Sequence, residues 1–222
     1  MKMKKITAAL LCLLLLSAAL SGCGKGGAEA GGAGPSGIAS PRVSYPVQLG
    51  KTQLGYYEAL LNADGGYGFL LSDYDDVTGA DLAQVLYLGA GMAEPDNRAD
   101  IISAAEAARG ETPDCDATVL TKGQINDFLL AKTGHTLADM TQVFPWQYVA
   151  EYDAYVHFHG DTNKVTVSVD DGNEISENTY VLNYSIPGGV YGEDGNLFGG
   201  GAVTVKASSA VIQFLSNKLR PE

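Results

Sequence analysis

Thr179–Ile186, TYVLNYSI, puts Tyr180, Leu182, Tyr184 and Ile186 on one side of an extended chain and Val181, Asn183 and Ser185 on the other. Side chains of a strand alternate between faces with period two, so this pattern predicts a strand with one buried face. The same period recurs on both sides of it. Lys164–Val169 alternates Val165, Val167 and Val169; downstream come Val203 and Val205, then Ile212 and Phe214. Asp170–Glu174 (DDGNE), the glycine-rich stretch Gly188–Gly201 with Glu193–Asn196 inside it, and Ser208-Ser209 carry turn residues between these runs. Four short strands joined by turns predict an antiparallel meander with one apolar face that other elements must cover.

The cover comes from upstream. Thr121 and Gln124 form a T-x-x-Q capping box, Leu120 can staple onto Ile125, and Ile125, Phe128 and Leu129 make one apolar stripe that Gly134 stops. Thr136 and Asp139 repeat the cap on a smaller scale. Asp96–Arg109 predicts a second helix, opening after Pro95, repeating Ile101, Ile102, Ala105 and Ala108, and stopping at Gly110. Leu54–Leu61 reads as helix and Tyr67–Leu71 as strand. Asp81–Leu88 fits either, a helix capped by Asp81 or a buried strand at Val85–Leu88. The fold class is therefore α+β, a helix-rich N-terminal half packed on a C-terminal antiparallel β-meander, in one domain over residues 42–222.

Residues 1–22 are of another kind. Lys2, Lys4 and Lys5 precede an apolar run, Ile6–Leu20, that is too short to span a bilayer comfortably, since a span needs about 20 apolar residues. Small residues follow, then Cys23. Leu20-Ser21-Gly22-Cys23 resembles the lipobox of bacterial lipoproteins. That resemblance implies cleavage before Cys23 and a thioether-linked diacylglycerol on its sulfur, two acyl chains being enough for stable anchoring. Residues 24–41, mostly Gly, Ala and Ser, read as a flexible tether with nothing to bury. The expected location is the extracytoplasmic side of a cell membrane.

Charge and cysteine usage narrow the partners. Without the three leader lysines, 11 Lys+Arg (14 − 3) face 26 Asp+Glu, a net of −15. Nucleic-acid binders carry a basic patch, so nucleic acid is excluded as a partner. Cys12 lies in the leader and Cys23 takes the lipid, which leaves Cys115 with no internal disulfide partner. A lone cysteine of this kind is expected to be buried, and flanking Asp114 and Asp116 should blunt its reactivity.

Phe144–Asn163 holds the chemistry. Six of the 19 aromatic residues fall between Phe144 and Phe158, and two of the three histidines are His157 and His159. Read as an extended segment from Asp153 to Asp161, His157, His159 and Asp161 share one face, and a zinc or other divalent site could use all three. The bland alternative is a solvated strand face. A helix beginning at Pro145 is the competing structure, and it would set the histidines about 200° apart. Trp146, Tyr148 and Tyr155 are candidate ligand contacts, because amphipathic rings stack on sugars or peptide; their alternative is core packing. Asp73-Tyr74-Asp75-Asp76 opens like a calcium loop, but Val77, Thr78 and Gln84 break the pattern.

The wording W-x-Y-x-x-E-Y-D-A-Y from Trp146, H-G-D-T-N from His159 and F-L-L-S-x-Y from Phe69 resembles uncharacterised lipoproteins of Gram-positive anaerobes. The resemblance carries no activity with it. The reading is a non-enzymatic, membrane-anchored binding or interaction domain for an envelope, glycan or protein ligand. Its alternatives are a metal-dependent or acid–base hydrolase centred on His157, His159 and Asp161, and an inhibitor or accessory of cell-wall enzymes.

The anchor gives the first test. Cys23→Ala should shift the chain from the membrane fraction to the medium, or leave it as uncleaved precursor, when fractions are blotted. A processed, membrane-bound Cys23→Ala chain would rule the anchor out.

Overall fold

A five-stranded antiparallel sheet carries the larger of two cores in the computed structural model, which describes residues 43–160, 164–191, 196–208 and 211–222. The chain order is β1 (Val47–Gln48), α1 (Lys51–Leu61), 3-10 turns at Tyr67–Leu70 and Val77–Gly79, α2 (Leu82–Leu86), α3 (Arg98–Arg109), β2 (Asp116–Thr121), α4 (Lys122–Thr133), β3 (Gln147–Val149), β4 (Ala154–His159), β5 (Ser168–Ser176), β6 (Thr179–Tyr191), β7 (Leu197–Ser208) and β8 (Val211–Pro221). Residues 43–222 form one compact unit. The class is α+β, with antiparallel sheets. Residues 1–42, which hold the expected leader, the lipidated Cys23 and the tether, lie outside the described residues. Among the described residues no helix is long and apolar enough to cross a membrane.

The meander β5-β6-β7-β8 is extended by β1 at its β5 edge. Leu182, Tyr184, Val203, Val205, Ile212 and Phe214 are buried on the inner face, as their alternation predicts. Helix α1 lies against β5 and α4 against β8. Two turn expectations fail here. Asp170–Glu174 runs inside β5, with a bulge between Val169 and Asp171, because Gly172 gives room to Leu49 and Leu182; a Cβ there would sit 2.9 Å from Leu182 Cδ2. The β5–β6 turn falls instead at Glu177–Asn178. Gly188, Gly189 and Gly199–Gly201 lie within β6 and β7, and a Cβ on Gly201 would come 2.6 Å from the Tyr184 hydroxyl. Of Glu193–Asn196 only Asn196 is described. The expected strand at Lys164–Val169 starts only at Ser168. Around its start, α1 and its C-cap supply the partners: Val167 N donates to Asn62 Oδ1 and Val169 N to Glu58 Oε2, each at 2.9 Å.

Tyr67–Leu71 is not a strand. Gly68 presses on α2, where a Cβ would sit 2.6 Å from Val85 Cα, and the segment coils into a 3-10 turn to bring Phe69 and Leu70 into the core. Tyr184 and Asn217 hold this coil down. The buried Tyr184 hydroxyl lies 3.0 Å from Leu70 O and 2.9 Å from Asn217 Oδ1, and Asn217 Nδ2 donates to Ser72 O at 2.8 Å. Asn217 and Tyr74 exchange both backbone hydrogen bonds.

The helices follow local chemistry. Thr121 Oγ1 accepts from Gln124 N at 3.2 Å, Gln124 Oε1 accepts from Thr121 N at 2.9 Å, and Gly134 stops α4 at φ 79°. Ile125 and Leu129 are buried, while Phe128 is half-buried against Phe69. Asp81 caps α2, which settles Asp81–Leu88 as helical at Leu82–Leu86. In α3, Ile101 and Ala105 are buried but Ala108 is exposed, so its apolar stripe is narrower than its sequence suggested. Cys115 is exposed rather than buried, since it precedes β2 between two surface aspartates.

Urea denaturation at neutral pH should rank two substitutions. Thr121→Ala removes one cap and costs about 1 kcal/mol. Asn217→Ala takes the donor from the Ser72 carbonyl, leaves the Tyr184 hydroxyl with Leu70 O alone and opens a cavity, so it costs about 2–4 kcal/mol. Equal losses would mean that the buried amide holds nothing down.

Candidate functional site

Strand β4 is the middle of a separate three-stranded sheet, β2-β4-β3. This settles the period of the histidine segment: it is extended, and no helix begins at Pro145. Strand β4 pairs with β2 and β3 and takes no part in the five-stranded sheet. Asp153, left-handed at φ 45°, turns the chain into β4. Its carboxylate accepts from the Tyr148 hydroxyl at 2.6 Å and its carbonyl from Lys122 N at 2.8 Å.

One face of β4 is core. Ala154 and Val156 are buried against Val119, Val149, Ile101 and Ala105, a second cluster roofed by α3. The other face carries Tyr155, His157 and His159, and it is not a solvated one. The rings of Phe144, Trp146, His157 and His159 stack in a row. Successive centroids lie 5.1, 5.0 and 5.3 Å apart, with interplanar angles of 29°, 10° and 24°. Tyr87, just past α2, closes over both imidazoles at 4.9 and 5.0 Å. Trp146 is only 4% exposed and belongs to the main core. Of the three candidate ligand aromatics, Tyr148 is 47% exposed, Tyr155 is half-buried under Phe144 and Tyr148, and Trp146 presents no face to solvent.

The two histidines come together, as a stack. Imidazole lone pairs lie in the ring plane, so two nearly parallel rings 5.3 Å apart point theirs side by side, whereas a shared zinc needs both nitrogens within about 2.1 Å. His159 is also spoken for. Its Nδ1 lies 2.9 Å from Gly160 O, which can only accept, so Nδ1 carries the proton; Nε2 then accepts from Thr118 Oγ1, also at 2.9 Å. His157 Nε2 and Trp146 Nε1 are buried without a partner among the described residues. Asp161, the proposed third ligand, lies outside the described residues. Among the described residues no three His, Cys, Asp or Glu side chains are grouped to hold a metal. The calcium-like loop is used internally: Asp73 and Asp75 share Lys218 at 3.3 and 3.0 Å, and Asp76 caps Thr78.

A site that the sequence did not reveal adjoins the ring stack. Pro145, between inward-turned Phe144 and Trp146, lines an open groove of about 610 Å3. Gln142 flanks it on the same side, Asp73 and Gln84 supply polar groups from the coil and α2, and Tyr191 and Phe198 form a wall from the β6–β7 hairpin. Tyr191 is 75% exposed. These residues come from four separated segments, and no spacing rule connects them.

Burial, and secondarily the neighbouring His159, lowers the His157 pKa from 6.5. The neutral ring is thus preferred in the folded protein. Between the unfolded value and the lowered folded one, the unfolded chain binds the extra proton. The stability that His157 contributes is therefore complete above about pH 6.5 and falls as the solution is acidified below it. His157→Phe should flatten that part of a denaturation-midpoint profile between pH 7.5 and 5. The single tryptophan stacks on His157, so its emission should titrate at the lowered folded value, the acid end of that loss, and lose that titration in the variant. A pH-independent wild-type midpoint and emission would show that His157 does not titrate there.

Comparison with protein-family models, with curated proteins and with solved structures finds no match for this chain.

Proposed function

We propose that this chain is a membrane-anchored extracytoplasmic lipoprotein, held by lipid on Cys23, whose domain is a non-enzymatic binding module for an envelope glycan. A helix-rich N-terminal half packed on the C-terminal meander is its framework in this reading. The observation that carries the binding claim is the groove beside Pro145. It is open, holds about 610 Å3, and combines an exposed ring with amide and carboxylate groups: Tyr191, Gln84, Gln142 and Asp73. Sugars offer an apolar ring face and a rim of hydroxyls, and a ring beside amides and a carboxylate matches both. Support for a binder over a hydrolase comes from the histidines. His159 has both ring nitrogens engaged and His157 Nε2 is buried in the stack, so neither is placed as a ready base. The anchor rests on Leu20-Ser21-Gly22-Cys23 and on the Gly/Ala-rich stretch that follows.

Co-sedimentation with purified peptidoglycan tests the ligand. The wild-type chain should pellet with it. Tyr191→Ala and Gln142→Ala should each weaken binding roughly fivefold, about 1 kcal/mol, with thermal midpoints unchanged. A wild-type chain that stays in the supernatant removes the glycan, and binding indifferent to both substitutions moves the site off this groove.

A further inference from the structure

Five apolar side chains gather at the corner where the chain enters the domain: Val43 and Tyr45 on the approach to β1, Val47 in β1, Tyr56 on α1 and Ile175 on β5. Each is between 37% and 61% exposed. The sheet and its rings connect them. Val47 lies opposite Glu174, and Glu174 opposite Tyr180. The Tyr180 ring is 4.9 Å from Tyr57, whose ring is 5.4 Å from Tyr56. Tyr45 belongs to the same corner: burial first, then the charges of Glu174 and Glu177 and the Tyr180 phenol, hold its hydroxyl above its ordinary value.

We propose that this corner is a bilayer-facing surface that rests on the headgroup–acyl boundary of zwitterionic phospholipid, an inference that itself rests on the lipid-anchor reading of Cys23. Where the chain enters selects the occupant. A Gly-rich linker of the 18 residues between Cys23 and Arg42 has a random-coil reach of roughly 20–25 Å. A compact unit of about 180 residues has a radius of gyration of about 16 Å, which makes it roughly 40 Å across. The corner at Val43 is therefore held at the bilayer, while the far side reaches it only by stretching the linker around the domain. Composition fits as well. Tyrosine settles at the headgroup level with its ring toward the chains and its hydroxyl toward water, and Val43, Val47 and Ile175 add aliphatic contact beside it.

The contact need not be strong. A short tether supplies an effective concentration on the order of millimolar, so a surface worth about 4 kcal/mol is enough to keep the domain in one orientation. Glu174 and Glu177 stand at the rim, and without the leader lysines the chain carries a net charge of −15. Both oppose anionic lipid, which is why the surface commits to zwitterionic headgroups. In this orientation the domain is pinned at two points, the acyl chains and the tyrosine corner.

The test uses the full lipidated chain in phosphatidylcholine vesicles, with and without acyl-chain bromine as a tryptophan quencher. Tyr45→Trp places a reporter in the corner, and Tyr148→Trp places one on the exposed part of the separate three-stranded sheet; buried Trp146 is the common background. Mass spectrometry and vesicle flotation report the anchor, and quenching reports the surface. Bromolipid should quench the added Tyr45→Trp emission at least twofold and leave that of Tyr148→Trp unchanged. It should quench less at Tyr45→Trp when phosphatidylglycerol replaces phosphatidylcholine. A chain that floats but shows equal quenching at both positions, or at neither, overturns the surface and leaves the anchor standing. A chain without diacylglycerol that fails to float overturns both. A dimer in solution that Tyr45→Ser dissolves overturns the surface in favour of a second copy.

Discussion

The hydroxyl of Tyr184 and the amide of Asn217 have to be satisfied without water, and much of the domain is arranged around that requirement. Both side chains are fully buried in the five-stranded sheet. An orphaned donor or acceptor there would cost about 1–3 kcal/mol. Their partners are the carbonyls of Leu70 and Ser72, which are free to accept because the chain at Tyr67–Leu70 is coiled rather than paired. The same need explains the glycines across the sheet: Gly201 lacks a Cβ because the Tyr184 ring occupies that space. With Leu70 and Ser72 pinned, Tyr74 falls into register with Asn217, and Asp73 lands beside Lys218 and Leu219. One buried polar pair thus fixes a stretch of irregular chain that would otherwise have little to hold it, and that stretch is one wall of the groove.

The second sheet solves a different problem. Strand β4 is buried on both faces to unequal degrees, by the aliphatic cluster under α3 on one side and by stacked rings on the other. Histidine suits the second face because it is flat enough to stack and polar enough for its edge to reach Thr118 and Gly160. Burial exacts a cost from His157, whose lowered pKa records the penalty for charging a ring between Trp146 and His159. The stack spans the seam between the two cores, because Trp146 packs in the larger one while β4 carries the smaller. Phe144 and Trp146 turn in and Pro145 turns out, so the groove floor inherits its position from the ring row.

What was legible in the sequence was local. Thr121, Gln124 and Gly134 mark a helix because cap, box and stop act within a few residues of each other, and no distant contact is needed to read them. The alternation at Tyr180–Ile186 and at Asp153–His159 was equally direct, since a strand's faces are set by its own period. Gly172 and Gly201 were misleading for a physical reason. Glycine serves a turn by its freedom in φ and serves a packed sheet by its missing Cβ, and the local sequence looks the same in both cases. Only the position of Leu182 or Tyr184 on the next strand distinguishes them. The histidine face was read correctly as shared but wrongly as solvated, because its cover comes from Tyr87, Phe144 and Trp146, distant in sequence or outside the strand. The groove was invisible for the same reason.

The protected edges of the larger sheet bear on the proposed attachment to a membrane. In the proposed anchored state, copies would meet at high two-dimensional density, where an open strand edge invites pairing between molecules. Here β1 covers part of β5, Glu58 and Asn62 take the amides that β1 does not reach, and Tyr74 and Asp73 occupy positions along β8. The outer face of the sheet is closed to stacking as well: Asp171 pairs with Asn183 at 2.6 Å and Asp170 with Ser185 at 3.0 Å, which keeps carboxylates where another sheet would dock. With a net charge of −15 once the leader lysines are gone, neighbouring chains would also repel at distances within the Debye length, about 8 Å at physiological salt. Edge cover, a polar outer face and like charge act at contact, at side-chain range and beyond it. Together they guard the sheet's edges and outer face against a second copy of the chain.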